Sequence, residues 1–413
     1  MTSILRIFDN ENKINIAGIV LISALPAVLL SRSAVLNVLI LIINFFFIFT
    51  IIREKRLNFF DNKYFYALFF FWISMLINSI FSIDVLNSAE RAFGFVRFIV
   101  LVFAINYFLT LKNSKYQKII FIAWSLIFTI ATLDLIFESI FGFNILGYVS
   151  YMPGRLAGFL NKELKIGHFF SAFILIVVST YYDLSKKHIS TYVIIFLFLI
   201  VSFLIGERGN FLRTLGISII FIFFLERQKL NKKIITVAFL IFTTSLIINY
   251  NDKYKTRFWD QFIGSLNKTS YEEYLLNSHY GAHYDAAKQI FKNNILFGVG
   301  LKNYRNESAK SIYENKDFLE TDSRWATHPH QIHWEFLSET GLFGYSIFII
   351  FFSFIFISTV RSLISKFNLY QLSALLFIVA SILPLIPSGS FFTTYGATLF
   401  WINFAVLVSF KNK

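Results

Sequence analysis

Three of the chain's seven histidines lie close together in one polar stretch, THPHQIHWEFLSETGLFG, at residues 327–344. His328, His330 and His333 fall within six residues, and the sequence then continues as an apolar run. Histidine is the side chain best suited to accept a proton near neutral pH. The stretch therefore predicts a proton-transfer site where a polar segment meets a hydrophobic one.

Pro329 indicates where the helix that carries this stretch begins. Proline suits the first turn of a helix, because its missing N–H would have no partner there. A start close to Pro329 puts His330 in the first turn, where free N–H groups and the helix dipole favour an anion. The same position keeps a histidine neutral, as a general base requires. We therefore predict His330 as a base beside an anion site, with His328 and His333 as accessory residues.

Two other interpretations of the histidines stay open. His279 and His283 are spaced i,i+4, so from one helix face they could bind zinc together with a histidine of the 327–344 stretch. Alternatively, the histidines form a surface cluster without chemistry. The sequence contains no D-x-D, Walker A, G-x-S-x-G or G-x-G-x-x-G motif, which disfavours an ATP-driven pump or a soluble-type hydrolase. It also lacks cysteine, which excludes disulfides and thiol catalysis.

The rest of the chain is strongly hydrophobic and must supply the elements that position these residues. Of its 413 residues, 56% are hydrophobic and only 15% charged, whereas a soluble domain has about 25% charged residues. Runs of about 20 apolar residues predict membrane-spanning helices, because lipid leaves the backbone no other way to pair its polar groups. We predict an all-α polytopic membrane protein with about twelve spans. The spans are expected at 14–33, 34–52, 64–84, 91–110, 118–142, 166–182, 189–206, 209–225, 234–250, 341–360, 368–385 and 394–410.

A polar segment interrupts the spans between residues 251 and 340. It divides the chain into nine spans over 1–250, a large loop over 251–340 and three spans over 341–413. The loop holds many aromatic residues, and the pattern of 282–293 predicts a short helix within it. A loop of this length in a compact protein usually has a function.

Lys and Arg are much denser in the short loops on one side of the spans than on the other. The positive-inside rule then puts both termini in the cytoplasm and the large loop outside. The net charge of +14 follows from this topology and does not indicate a nucleic-acid partner. The first apolar run is long enough to span the bilayer, so we expect it to be retained.

Charged residues inside or next to the spans gather near the outer level, and such charges usually mark function. They are Arg97, Asp134, Glu138, Arg155, Lys162, Glu163 and Arg208. An alternative is that Arg97 and the pair formed by Asp134 and Glu138 neutralise each other within the bundle. Arg213 lies on a different helix face from Arg208, so we expect it to have a structural role.

Several ordered motifs resemble the O-antigen ligase/polymerase family. Where this chain has HQIHWE and ETGLFG, at 330–335 and 339–344, family members typically have H-N-x-x-L-E and E-x-G-L-x-G. GERGNF, at 206–211, resembles the family's Arg-Gly or Arg-Ala at a helix start. NNILFGVGLKNY, at 293–304, resembles its loop segment ending in P-x-x-G-x-G, and GRLAGFLNKELKIG, at 154–167, is similar to an outer-loop pattern of part of the family.

The resemblance implies a glycosyltransferase of the bacterial inner membrane that needs no metal or other cofactor. It would move a glycan from undecaprenyl pyrophosphate to an acceptor hydroxyl at the periplasmic face. The acceptor is lipid A–core for a ligase and another lipid-linked repeat unit for a polymerase. His330 corresponds to the base and Arg208 to a pyrophosphate contact. Arg155, Glu163 and Glu335 fall within the matching motifs and are expected to bind substrate.

One departure from the family concerns its second cation. The loop arginine of the family falls here between His279 and His283, where no arginine is present. We expect Lys302 and Arg305 to supply the charge, or the two histidines if they are protonated. We favour a ligase over a polymerase, and both over a lipid-linked glycan flippase, which would use charged residues at mid-membrane.

Overall fold

The protein is described by a computed structural model over residues 13–111, 114–225, 230–263, 270–384 and 386–410. Within these ranges it is helical and contains no strand. The α-helices are α1 (Lys13–Ser23), α2 (Leu25–Leu29), α3 (Ser33–Glu54), α4 (Lys63–Ile80), α5 (Val85–Leu109), α6 (Ser114–Phe141), α7 (Ile166–Ser185), α8 (His188–Leu204), α9 (Arg208–Phe224), α10 (Leu230–Tyr250), α11 (Asp252–Tyr254), α12 (Tyr271–Leu276), α13 (His279–Asn293), α14 (Tyr304–Glu307), α15 (Ile332–Ser365), α16 (Leu369–Ser381) and α17 (Thr394–Ser409).

A helix lies at each of the twelve predicted apolar segments. Seven helices of the described residues are long and apolar enough to cross a membrane: α3, α4, α5, α6, α7, most of α10, and α15. Shorter apolar helices occupy 13–29, 190–204, 369–381 and 394–409. The all-α architecture is thus confirmed for the described residues, and seven of their helices have the length and composition of membrane spans. The number of twelve spans stays a prediction.

Polar side chains at the start of several helices bind the backbone N–H groups that lack a helical partner. Asp84 accepts from the N–H of Asn87 at the start of α5, and Asn368 does the same for α16. Ser278 caps α13, which begins three residues before the helix predicted over 282–293. The apolar runs determine where the helices lie, and these caps determine where they begin.

The outer faces of the bundle are apolar, as a lipid environment requires. Phe45, Phe70 and Ile350 each expose more than half of their side chains. Burial is deepest in α5, α7 and α17, where Trp401 is fully buried against Phe95. Large apolar side chains on the outer surface of a helix bundle are typical of a membrane protein.

The charged residues of the central spans organise the adjoining loops. Asp134 and Glu138 accept backbone N–H groups of the segment after α6, at 2.8 Å from Ile145 and 2.7 Å from Gly158. Arg97 donates to a carbonyl of its own helix at 2.6 Å. Each charge therefore binds backbone, and the structure does not support mutual neutralisation of Arg97 with the two carboxylates.

The polar region between α10 and α15 folds around a small core of its own. A π-helical stretch, Lys255–Ile263, follows α11, and one short α-helix, α14, and two 3₁₀ turns follow α13. Ala287 and Ile290 of α13 pack with Val299, Tyr304 and Tyr313. The predicted helix of this region is present, and α13 packs directly against α15.

Helix α15 bends at Gly341, which falls on the predicted boundary between the large loop and the last spans. The backbone of Gly341 has φ 62° and ψ −164°, outside the helical region. The opened turn frees backbone groups to pair with the 295–300 segment. Leu342 N–H binds the carbonyl of Ile295 at 2.8 Å, and Gly300 N–H binds that of Glu339 at 2.8 Å. The bend thus anchors the polar region to the membrane helix.

Gly341→Ala is expected to prevent folding or to lower the free energy of unfolding by at least about 3 kcal/mol, because this backbone conformation is essentially limited to glycine. An added Cβ would also lie 2.5 Å from the carbonyl of Leu296. Gly216→Ala in α9 is the matched control, since its Cβ would meet nothing within 4 Å. Thermal unfolding in detergent measures both variants. Equal stability of the two would contradict the proposed role of the bend.

Candidate functional site

Four of the seven histidines form one cluster at the end of the bundle where α9 and α15 begin. The ring centroid of His330 lies 4.2 Å from that of His328 and 4.8 Å from that of His283. The rings of His283 and His279 are 6.1 Å apart. Helix α13 supplies His279 and His283 from one face, as their i,i+4 spacing indicated. The segment before α15 supplies the other two.

His330 lies outside helix α15, so the predicted helix start at Pro329 is wrong. The helix begins at Ile332, where the Gln331 side chain accepts the Trp334 N–H at 2.8 Å. His330 has φ 54°, a left-handed conformation that a helix cannot include. It is therefore held beside the helix start and not within its first turn.

Burial keeps the cluster neutral. It lowers the pKa of His330 to about 4, with a smaller contribution from His279. It lowers the pKa of His283 to about 3 and that of His328 to about 3, and in both the charge of His330 adds to the effect. At neutral pH these three imidazoles are therefore uncharged, which is the protonation state of a general base.

Three arginines lie together at the start of α9. Arg208 is the first residue of that helix, and its Nη1 donates to the carbonyl of Arg257 at 3.3 Å. Arg257 in turn donates through Nε to the carbonyl of Gly206. Arg155 forms an ion pair of 2.9 Å with Glu207. Burial, followed by the charges of Arg155 and Arg208, lowers the pKa of Arg257 to about 10, so it stays protonated at neutral pH.

Tyr280 connects the arginines to the histidines. Its ring centroid lies 6.2 Å from that of His330. Burial raises the pKa of Tyr280, and the nearby charges of Arg208, Arg155 and Arg257 oppose that shift. A side chain in contact with His330 is thus within electrostatic range of all three guanidinium groups. The two clusters form one site.

Several polar atoms of this site are buried without a hydrogen-bond partner in the described part of the chain. They are His283 Nδ1, His328 Nε2, Arg155 Nε and Ser388 Oγ. Buried polar atoms in folded proteins are nearly always paired. With three arginines beside the buried carboxylate of Glu207, the site is suited to an anionic ligand.

Two predicted residues of the 327–344 stretch lie away from the histidine cluster. His333 binds the Tyr345 hydroxyl at 3.0 Å and the carbonyl of Ile382 at 2.7 Å. Glu335 is 2% exposed and accepts hydrogen bonds from Ser390 and from the N–H of Phe391 at 2.8 Å. Both side chains therefore bind neighbouring parts of the polypeptide and have a structural role near His330.

The remaining candidates have mixed surroundings. Glu163 is half-exposed and pairs with Lys165. Lys302 donates its backbone N–H to the carboxylate of Glu339. Arg305 is exposed, but its charge contributes to the lowered pKa of His328, so it lies near the cluster.

The zinc alternative finds no support in the geometry. Over residues 13–410 apart from the three internal gaps and Leu385, no group of three His, Asp or Glu side chains is arranged to hold a metal ion. The histidine rings contact one another and Tyr280.

Arg257 was not predicted from the sequence, and it lies beside Arg208, where Lys302 and Arg305 were expected to add positive charge. The available signal was aromatic spacing. Tyr254 and Phe258 are spaced i,i+4 and both are buried against Phe203. An apolar face of this kind predicts that the segment docks on the bundle, and docking brings Arg257 to the start of α9.

The O-antigen ligase family model matches residues 193–349, which include Arg208, Arg257 and the four clustered histidines. Members of that family are glycosyltransferase-like enzymes. No curated protein matches the chain. Arg155 and the segment that contacts Glu335 lie outside the matched residues.

Proposed function

Because the chain belongs, through its residues 193–349, to the O-antigen ligase family, we propose that it transfers a glycan from undecaprenyl pyrophosphate to lipid A–core. The reaction takes place at the periplasmic face of the bacterial inner membrane and needs no metal. One observation carries this proposal: the ring of a neutral His330 contacts Tyr280, and three arginines lie within electrostatic range of the same tyrosine.

The arginines bind the pyrophosphate of the donor. Each guanidinium presents a planar fork that matches two phosphate oxygens. During transfer the bond between the sugar C1 and the pyrophosphate oxygen breaks, and its electron pair leaves with the pyrophosphate. The negative charge on that oxygen grows, so Arg208 and Arg257 stabilise the transition state more than the bound donor. Arg155, paired with Glu207, supplies a third positive charge.

His330 activates the acceptor. The acceptor hydroxyl oxygen forms the new bond to C1, and a ring nitrogen of His330 takes its proton. The free enzyme holds His330 neutral by burial. Arrival of the anionic donor beside the ring favours the imidazolium, so its basicity rises when it is needed. Proton acceptance and charge stabilisation thus take place in one site.

The protein has an apolar groove next to this site that would bind the lipid chain of the donor. The groove has a volume of about 270 Å³ and lies between α15 and α16, with His333 among its lining residues. Phe352, Ile378 and Val379 line it deeper in the bundle. His333 lies three residues after His330 in the sequence, so an isoprenoid chain in the groove would extend towards the site that holds the pyrophosphate.

Deletion of the gene, followed by analysis of lipopolysaccharide and carrier-linked glycans, tests the function. Bare core together with long glycans left on the carrier at the periplasmic face supports the ligase. Core that bears a single repeat unit means a polymerase instead. Single repeats trapped on the cytoplasmic leaflet would overturn both enzymes in favour of a flippase.

We expect the kcat/KM of transfer to stay constant from pH 8 to about pH 5 and to fall towards a midpoint near pH 4. The base must be neutral, burial lowers the pKa of His330 to about 4, and kcat/KM reports the free enzyme. Folding is checked at each pH, because a histidine with a lowered pKa makes the folded state less stable as the pH falls from about 6.5. A midpoint near 6.5 would mean that the base is solvent-exposed.

A further inference from the structure

The segment 386–391 lies between α9 and His330, outside the residues matched to the family. Arg213 of α9 donates through Nη2 to the carbonyls of Ile386, at 3.1 Å, and Pro387, at 2.7 Å. These two bonds attach the beginning of the segment to the helix that starts with Arg208. Arg213 is 7% exposed, so water competes little for either bond.

The middle of the segment holds His330. The N–H of Ser388 donates to the carbonyl of His330 at 2.7 Å. His330 has a left-handed backbone conformation, φ 54°, that is uncommon for a residue other than glycine. Such a conformation persists when surrounding bonds over-determine it. The Ser388 bond is one of them.

The end of the segment is attached to α15. Both carboxylate oxygens of Glu335 are used there, one with the Ser390 hydroxyl and the other with the Phe391 N–H. The segment is therefore fixed at one end to the helix of Arg208, at the other to the helix that follows His330, and in between to His330 itself.

We propose that the segment 386–391 is a fixed bridge that sets the position of His330 relative to Arg208, and that Arg213 and Glu335 are its positioning residues. This inference rests on the proposed transferase function. The reaction needs the acceptor hydroxyl and the pyrophosphate on opposite sides of one sugar carbon, so the separation of base and cations must be constant. A displacement of about 1 Å costs about 100-fold in rate.

The network behind Arg213 extends the same control to Arg155. Arg213 Nη1 donates to Asn210 at 3.3 Å, and the Asn210 amide donates to Glu207. Glu207 forms the 2.9 Å ion pair with Arg155. A buried series of hydrogen bonds and one ion pair thus joins the guanidinium of Arg155 to the bridge. Arg213 is the central residue of this series.

A double-mutant cycle in kcat tests the bridge, with purified protein and carrier-linked donor. Arg213→Gln and Glu335→Leu are each expected to lower kcat about 100-fold and to change the KM of the donor less than about 5-fold. The double variant should be no slower than the slower single variant, because both remove the same bridge. Losses that multiply to about 10⁴-fold, or a large rise in KM with normal kcat, would overturn the proposal.

Three further variants separate positioning from general instability. Glu335→Gln keeps the acceptor for Phe391 and should retain kcat within about tenfold. Ser390→Ala removes the hydroxyl that donates to Glu335 and accepts from the Phe392 N–H, and should lower kcat by about tenfold. Asn403→Leu is the control, because Asn403 is fully buried in α17 and, within the described residues, donates to the carbonyls of Ala172 and Leu399 and to no residue of the bridge. Its kcat should be unchanged. If Asn403→Leu lowers kcat as much as Glu335→Leu, the bridge has no special role, whereas an inactive wild type would refute the transferase itself.

Discussion

His330→Asn is expected to lower kcat for glycan transfer by about 10³-fold, within the range that a general base contributes. Asparagine tolerates the left-handed backbone conformation of this residue, φ 54°. It can therefore keep the bond from Ser388 to the His330 carbonyl while removing the proton acceptor. Expression, membrane insertion and thermal stability should match the wild type. Initial rates with purified protein and carrier-linked donor measure the effect.

The matched control is His188→Asn. His188 begins α8 and packs against Tyr182, away from the cluster. Its replacement should leave kcat unchanged. Wild-type rates for His330→Asn would show that the acceptor loses its proton to another group. In that case His283, whose ring lies 4.8 Å away, would be the next residue to replace.

Arg208→Lys and Arg257→Lys should each lower kcat by about 10²–10³-fold, the loss typical of removing one donor from a site of developing negative charge. A lysine keeps the charge but cannot present two N–H groups in a plane to the phosphate oxygens. The effect should therefore be larger on kcat than on the KM of the donor. Arg361→Lys is the control, because Arg361 is exposed near the end of α15. Full activity of both site variants would reduce these arginines to packing roles.

Burial gives the two kinds of side chain opposite protonation states in one site. Removal from water disfavours the charged form of both arginine and histidine. Arginine starts from a pKa above 12, so even the shift of Arg257 to about 10 leaves it charged at neutral pH. Histidine starts near 6.5, so His330 becomes neutral. One site that is shielded from water can thus hold charged arginines for the leaving group and a neutral histidine that accepts the proton of the acceptor.

The helices were predictable because lipid allows the backbone few alternatives. Each apolar run became a helix, and the i,i+4 spacing of His279 and His283 correctly put both on one face of α13. The start of α15 was not predictable from Pro329. The helix begins after Gln331 because the Gln331 side chain caps it, in place of a start at Pro329. The backbone N–H of Ser388, more than 50 residues further along the chain, also binds the His330 carbonyl. The helix preferences of neighbouring residues cannot predict a contact between such distant parts of the sequence.

The cations were predictable only in part. Arg208 was identified from its level at the outer end of a span and from the resemblance of GERGNF, at 206–211, to a family motif. Arg257 was missed, because its neighbourhood depends on how the segment after α10 packs on α8 and α9. The bridge at 386–391 could not be found from residue types, since it acts mainly through backbone carbonyls and N–H groups. Side-chain chemistry is visible in a sequence, whereas backbone bonds between distant segments appear only in the folded structure.

Transfer by the purified protein in lipid vesicles tests the central claim most directly. The vesicles contain undecaprenyl-pyrophosphate-linked glycan and lipid A–core, and the buffer contains EDTA. We predict that the wild type attaches glycan to the core and that His330→Asn does not. Absence of transfer by folded wild-type protein, or transfer that His330→Asn performs equally well, would contradict the account.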